Sequence, residues 1–198
     1  MGTVPPPLAA FVPRPDVRER FEVIVQAPPE VMFAVCSAFD IQTLFVVRAI
    51  FWLRARLLRS TESPSWDSQG FLTDAQAMGW GVLAEDPPYL FVGGASCQPW
   101  LPDVIFAPLT ATSFGPFDEP NRVKIAWTLE IEPLGDARCR LGTETRAVAT
   151  DAEGRRRFLR YWRWARLGIV SIRLLLLPAM RRRAEQQFRV SGPGRKVM

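Results

Sequence analysis

Acid–base and nucleophilic chemistry have few carriers in this chain, because it contains no histidine. That removes the usual general base, the proton shuttle and the commonest metal ligand. Ser-His-Asp and Cys-His systems are therefore excluded. Cys36, Cys97 and Cys139 lie far apart and form no CxxC pair, which suits buried thiols in a reducing compartment. No spacing of cysteines and carboxylates matches a zinc site. No phosphate-binding loop or dinucleotide fingerprint occurs, and Gly93-Gly94 reads as a bulge or bend within a strand. The sequence thus predicts no metal, no cofactor and no covalent nucleophile. Carboxylates remain. Glu144 and Arg146 alternate with Thr143 and Thr145, which puts the charged pair on the outer face of a strand as part of a charge ladder. Asp103, near Trp100 in a Pro-rich loop, reads as a solvated carboxylate or as a group at a cavity mouth.

The other candidates are apolar. Seven tryptophans are many for 198 residues, and they favour a wide, aromatic-lined interior. Trp80, Trp100, Phe114, Trp127 and Trp162 are the candidate ligand-binding aromatics, with plain core packing as the competing reading. Thr143 and Thr145 are the polar groups able to orient a ligand there, with cross-strand packing as theirs.

The elements that must position these residues are legible from hydrophobic periodicity. Arg20 to Ala27 reads as a first strand with Phe21, Val23 and Val25 on one face. Pro29 opens a short helix to about Ala38. Asp40 caps a second, nearly all-apolar helix from Ile41 to about Leu58. A short helix ends at Gly79. Strands follow over Trp80 to Asp86 and Tyr89 to Cys97, then an irregular stretch from Pro99 to Pro108 and a strand over Thr112 to Phe117. A hairpin comes next. Val123, Ile125, Trp127, Leu129 and Ile131 share one face of its first arm, and Cys139, Leu141, Thr143, Thr145 and Ala147 the same face of its second. A three-residue loop at Leu134-Gly135-Asp136 sets Glu132 opposite Arg138 and Glu130 opposite Arg140. The inner face turns small beyond Trp127, which leaves space. Asp151 caps a final helix reaching about Gln187, whose stripe includes Phe158, Trp162, Ala165, Ile169, Ile172 and Leu176. Gly168 is placed to bend it and Pro178 to kink or interrupt it. Its apolar run is short of the ~20 residues of a membrane span.

This order resembles the SRPBCC superfamily, the START-like helix-grip fold shared with polyketide cyclases and lipid-transfer proteins. Glu22 to Ala34 (EVIVQAPPEVMFA) is similar to its opening strand and helix start. Leu83-Ala84-Glu85-Asp86-Pro87 is similar to the end of a central strand. Thr143-Glu144-Thr145-Arg146, followed by Phe158, Tyr161-Trp162-Arg163, Ile172-Arg173 and Arg181 to Glu185, resembles an uncharacterised bacterial branch. The match covers about residues 16 to 187. It departs at Leu167-Gly168-Ile169, where that branch carries a Pro-Gly-Ser-like break. The resemblance implies a cavity for hydrophobic molecules and no particular activity.

The expected fold is therefore α+β, a curved antiparallel sheet wrapped around a long C-terminal helix. Residues 1-15 are expected to be an extended Pro-rich arm, 16-187 the ligand-binding domain and 188-198 a flexible tail. Trp127 and Trp162 are expected on facing surfaces of one interior. The expected function is binding of a hydrophobic small molecule, lipid-like or aromatic, without catalysis. An aromatase/cyclase-type enzyme using a carboxylate or water is one alternative. The other is a peripheral membrane or protein-interaction module acting through the last helix. Net charge is +5 and almost all cations are arginine, so arginine triplets flank the apolar helix at 155–157 and 181–183. Val170, Leu174, Leu175 and Leu177 extend apolar surface beyond what a sheet can cover. A homodimer through that helix, or contact with anionic membrane lipid, is the expected remedy. Nucleic acid fits less well, since no reader motif accompanies the charge. With no secretory signal, the expected location is cytoplasmic.

Overall fold

Period-two alternation in the two longest strands sets the architecture. The computed structural model describes residues 8–44, 48, 49, 56 and 68–191. Strands β5 (Val123–Pro133) and β6 (Cys139–Ala149) pair at the centre of a six-stranded antiparallel sheet. On one side β1 (Val17–Val25) joins β6. On the other, β3 (Leu90–Cys97) joins β5, and β2 (Gly81–Asp86) forms the far edge. The two-residue β4 (Ala107–Pro108) lies beside the end of β3. The sheet is curved and not closed. Around it stand α1 (Leu8–Phe11), α2 (Pro29–Ala38), α3 (Phe71–Ala77), α4 (Ala111–Phe114) and the long α5 (Ala152–Ser191).

The faces follow the expected alternation. Val25, Leu129, Ile131 and Leu141 turn inward, where α2 and the distal half of α5 cover them. Val17, Val123 and Ala147 cover the other end of the same face beneath Phe158, Tyr161 and Ala165 of α5. Asp151 caps α5 as expected, its Oδ1 accepting from Gly154 N–H at 2.6 Å.

Several expectations need correction. The hairpin register is displaced by two residues: Glu132 faces Arg140 and Glu130 faces Gly142. The connection spans residues 134–138, closed by Leu134 N–H donating to the Arg138 carbonyl, with Gly135 at φ 122°. A two-residue displacement keeps every side chain on its face, so alternation alone does not detect it. Thr112 to Phe117 is no strand; α4 forms there because Thr110 and Ser113 make a reciprocal capping box. That moves Phe114 to the outer face, where it packs with Val92, Ala126 and Leu83. The stretch from Leu8 to Val12 is not extended. It coils into α1 and buries Leu8 and Val12 in that outer cluster, with the Phe11 ring 5.9 Å from Phe114.

Helix α5 also runs unbroken through Gly168 and Pro178 to Ser191. Proline in a helix interior costs roughly 3 kcal/mol. Buried Leu176, Leu177 and Met180 flank it, and each contributes about 1.5–3 kcal/mol, so packing outweighs the break. Leu177 is thereby a core residue, not part of a surplus apolar surface. Of the helix expected from Ile41 to Leu58, a 3-10 turn at Ile41–Thr43 is present; most of the rest lies outside the described residues.

Candidate functional site

The inner face of the sheet carries a polar belt between its two apolar clusters. Glu19 of β1 lies opposite Thr145 of β6, and Phe21 opposite Thr143. Into the space above the two threonines comes Arg173 of α5. Its guanidinium donates from Nη1 to Thr143 Oγ1 and from Nη2 to Thr145 Oγ1, the latter at 2.7 Å. Burial pulls this guanidinium down to about 10, with the Glu19 charge acting the other way. Glu19 does not pair with it directly, because its Oε1 accepts from Arg166 Nε at 2.6 Å. Arg173 therefore sits between helix and sheet, bonded to neutral hydroxyls and to no carboxylate among the described residues. A largely desolvated cation whose nearest carboxylate is engaged by another arginine is costly, and a fork of N–H donors matches carboxylates and phosphates.

The signal for Arg173 was present in the sequence. Ala165, Ile169, Arg173, Leu176, Met180 and Ala184 follow one another at spacings of three and four, one inward stripe of a helix. Arg173 is the one charged member of that stripe. Thr143 and Thr145 are where the small inner face was expected to leave room, and the room is occupied by this guanidinium.

The outer face carries a second charged cluster. Glu144 is only 3 % exposed and accepts from Arg18, Arg20 and Arg146 at 2.6–3.2 Å. Burial pushes its carboxyl up, but the hydrogen bonds from Arg18, Arg146 and Arg20 outweigh this and hold it at about 2. Such a group stays ionised and fully bonded near neutral pH, and its pKa is far from the near-neutral value that suits a general acid or base. Its neighbour Thr128 donates no room for substrate either: Thr128 Oγ1 accepts from the Glu144 backbone N–H in the buried sheet.

The aromatic candidates fall in four places. Trp127 lies on the inner face with Trp80 edge-on at 6.1 Å and Phe71 and Phe91 at 5.4 and 5.3 Å. Gly93 makes this arrangement feasible, since a Cβ there would stand 2.6 Å from Trp127 Nε1. Trp162 is half-buried in the proximal cluster, 5.9 Å from Phe158. It lies on the same side of the sheet as Trp127 but in a different apolar cluster. Phe114 is on the opposite side and cannot share their interior. Trp100 lines an open cleft of about 500 Å³ with Tyr161, Trp164, Arg156, Arg157 and Arg160. Its buried Nε1 has no hydrogen-bond partner among the described residues. Glu153 at the cleft's edge is held by Arg156 and Arg157. Tyr161 and Trp164 were not among the expected site residues.

All three cysteines are buried, and no disulfide joins them. Burial raises the Cys36 thiol and pushes the Cys139 thiol up to about 11, which disfavours the reactive thiolate. Among the described residues no His/Cys/Asp/Glu group is arranged to hold a metal ion, and no helix is long and apolar enough to cross a membrane.

No family model and no curated protein matches the chain. Among solved structures, a conserved protein from Geobacillus kaustophilus aligns with a TM-score of 0.37 at 12% identity, over 88% of this chain and 97% of that one. A hypothetical protein from Helicobacter pylori aligns with a TM-score of 0.29 at 10% identity, over 77% and 82%.

Proposed function

We propose that this chain is a non-catalytic binder of hydrophobic small molecules that carry an anionic group. The ligand's apolar body lies between the inner sheet face and α5, and its anion is received by Arg173. The observation that carries this reading is the guanidinium itself: part-buried, held by Thr143 and Thr145, and bonded directly to no carboxylate among the described residues. The apolar surroundings support it, since burying ligand surface contributes about 25 cal/mol per Å². An enzyme of the cyclase kind finds less support, because Glu144, the carboxylate in the most suggestive motif, is locked in ion pairs on the outer face. Membership of the SRPBCC superfamily is part of the same proposal and rests on the sequence resemblance.

Native mass spectrometry of the protein isolated without delipidation tests this. A co-purifying acidic amphiphile at one per chain is expected, and Arg173→Met should lose it while keeping its circular dichroism. Wild-type protein that carries no adduct and takes up none from a mixture of fatty acids and aromatic acids would overturn the reading.

A further inference from the structure

We infer that the outward face of α5 is a docking surface for an anionic phospholipid bilayer. The inward stripe of this helix is spent on the sheet. The opposite face carries Trp164, Leu167, Leu174 and Leu175, which are 41, 74, 59 and 40 % exposed. Positions 164, 167, 171, 174, 175 and 178 fall within about 100° of one another at 3.6 residues per turn. They form one continuous strip, interrupted in polarity only by Ser171, whose hydroxyl is turned back onto the Leu167 carbonyl at 2.7 Å. A strip of this kind is unusual on a protein surface that meets only water.

Charge selects the occupant. Arginines bracket the strip: Arg160 and Arg163 precede it and Arg182 follows it, all exposed. From Arg160 to Arg182 is about 33 Å of helix at 1.5 Å per residue. The nearby carboxylates are already engaged, Glu153 by Arg156 and Arg157 and Glu185 by Arg181. A second copy of the chain is a poor partner. An antiparallel two-fold pairing sets the Arg160 end of one helix against the Arg182 end of the other, and a parallel pairing sets like ends together. Either way arginine meets arginine across an apolar seam. A flat surface of negative headgroups over an apolar interior matches both parts of the face at once, as amphipathic interfacial helices do. The cleft beside Trp164 adds a place for one headgroup. It presents Arg156 and Arg157, which share Glu153, with Arg160 beside them.

Flotation of the full chain with phosphatidylcholine vesicles, with and without phosphatidylglycerol, tests this. Binding to the anionic vesicles alone, lost at high salt, is expected. The double variant L167E/L174E and the double variant R160E/R163E should each weaken partitioning by roughly tenfold or more, on the usual scaling of interfacial binding with apolar area and charge. Both pairs are exposed, so circular dichroism should be unchanged. Wild type that fails to float with anionic vesicles overturns the inference. So does wild type that sediments as a dimer which L167E/L174E splits, because the strip would then belong to a second copy.

Discussion

Glu144 and Arg173 show how one sheet uses buried charge in two ways. Glu144 is matched by three guanidinium groups, so its charge adds to stability. Its carboxyl sits at about 2 against an ordinary 4.5, a depressed value. The stabilisation is therefore complete above about pH 4.5 and is lost as pH falls through 2. A shift of that size corresponds to about 3 kcal/mol at most. Urea unfolding at pH 6 and at pH 2.5 should show this loss in wild type. In Glu144→Gln the protein should already be weaker at pH 6 and lose less on acidification. Arg173 has no carboxylate bonded to it among the described residues, only the Glu19 charge nearby. Arg173→Met exchanges a weakly compensated cation for an apolar side chain of similar length, so the melting temperature should hold or rise by about 2–4 °C for each kcal/mol recovered. A fall of ten degrees would instead mark Arg173 as a structural strut. Gly93 makes a third case: Gly93→Ala drives a methyl group into the Trp127 ring, and overpacking of this kind costs about 1–3 kcal/mol, readable as a lower denaturation midpoint with changed tryptophan emission.

At the scale of elements, Asp151 and the stripe above it decide whether α5 lies correctly on the sheet. Asp151 accepts from both Gly154 N–H and Asn121 N–H at 2.6 Å, so it ties the helix start to the strand β5 as well as capping it. Asp151→Ala should cost about 0.5–2 kcal/mol in thermal unfolding, and more than a cap alone because Asn121 loses its partner too. Much at this scale was legible in the sequence. Alternation identified both hairpin arms and their faces, and Pro29 and Ala38 bound α2 as expected. What escaped was local turn chemistry. The loop over 134–138 is longer than the Leu134-Gly135-Asp136 signal suggests, and slipping two residues preserves the pattern. The capping box at Thr110 and Ser113 is masked in the sequence by the strand-like pattern of Thr112 to Phe117. Pro178 was weighed by its local cost, whereas Leu176, Leu177 and Met180 around it settle the helix through burial in the core.

Over the whole molecule, the sheet has two faces with different duties. The inner face holds two apolar clusters with the Glu19–Thr145–Thr143–Arg173 belt between them. The outer face holds the Glu144 cluster and the small core beneath α1 and α4. The candidate site was half legible. Thr143, Thr145 and Trp127 stand on the inner face as alternation requires, but Arg173 is absent from the expected stripe of Phe158, Trp162, Ala165, Ile169, Ile172 and Leu176, although it is the charged member of the inward one. Phe114 left the set because a capped turn replaced a strand. The central claim is that Arg173 recognises the anionic group of an otherwise hydrophobic ligand. A thermodynamic cycle tests it most directly: calorimetric affinities of a long-chain fatty acid and the alcohol of equal length, each for wild type and for Arg173→Met. The account predicts that wild type prefers the acid by roughly tenfold or more, the scale of a charge-assisted hydrogen bond, and that the preference vanishes in Arg173→Met while alcohol affinity is kept. Equal affinity of wild type for acid and alcohol, or a preference that survives the substitution, would contradict it.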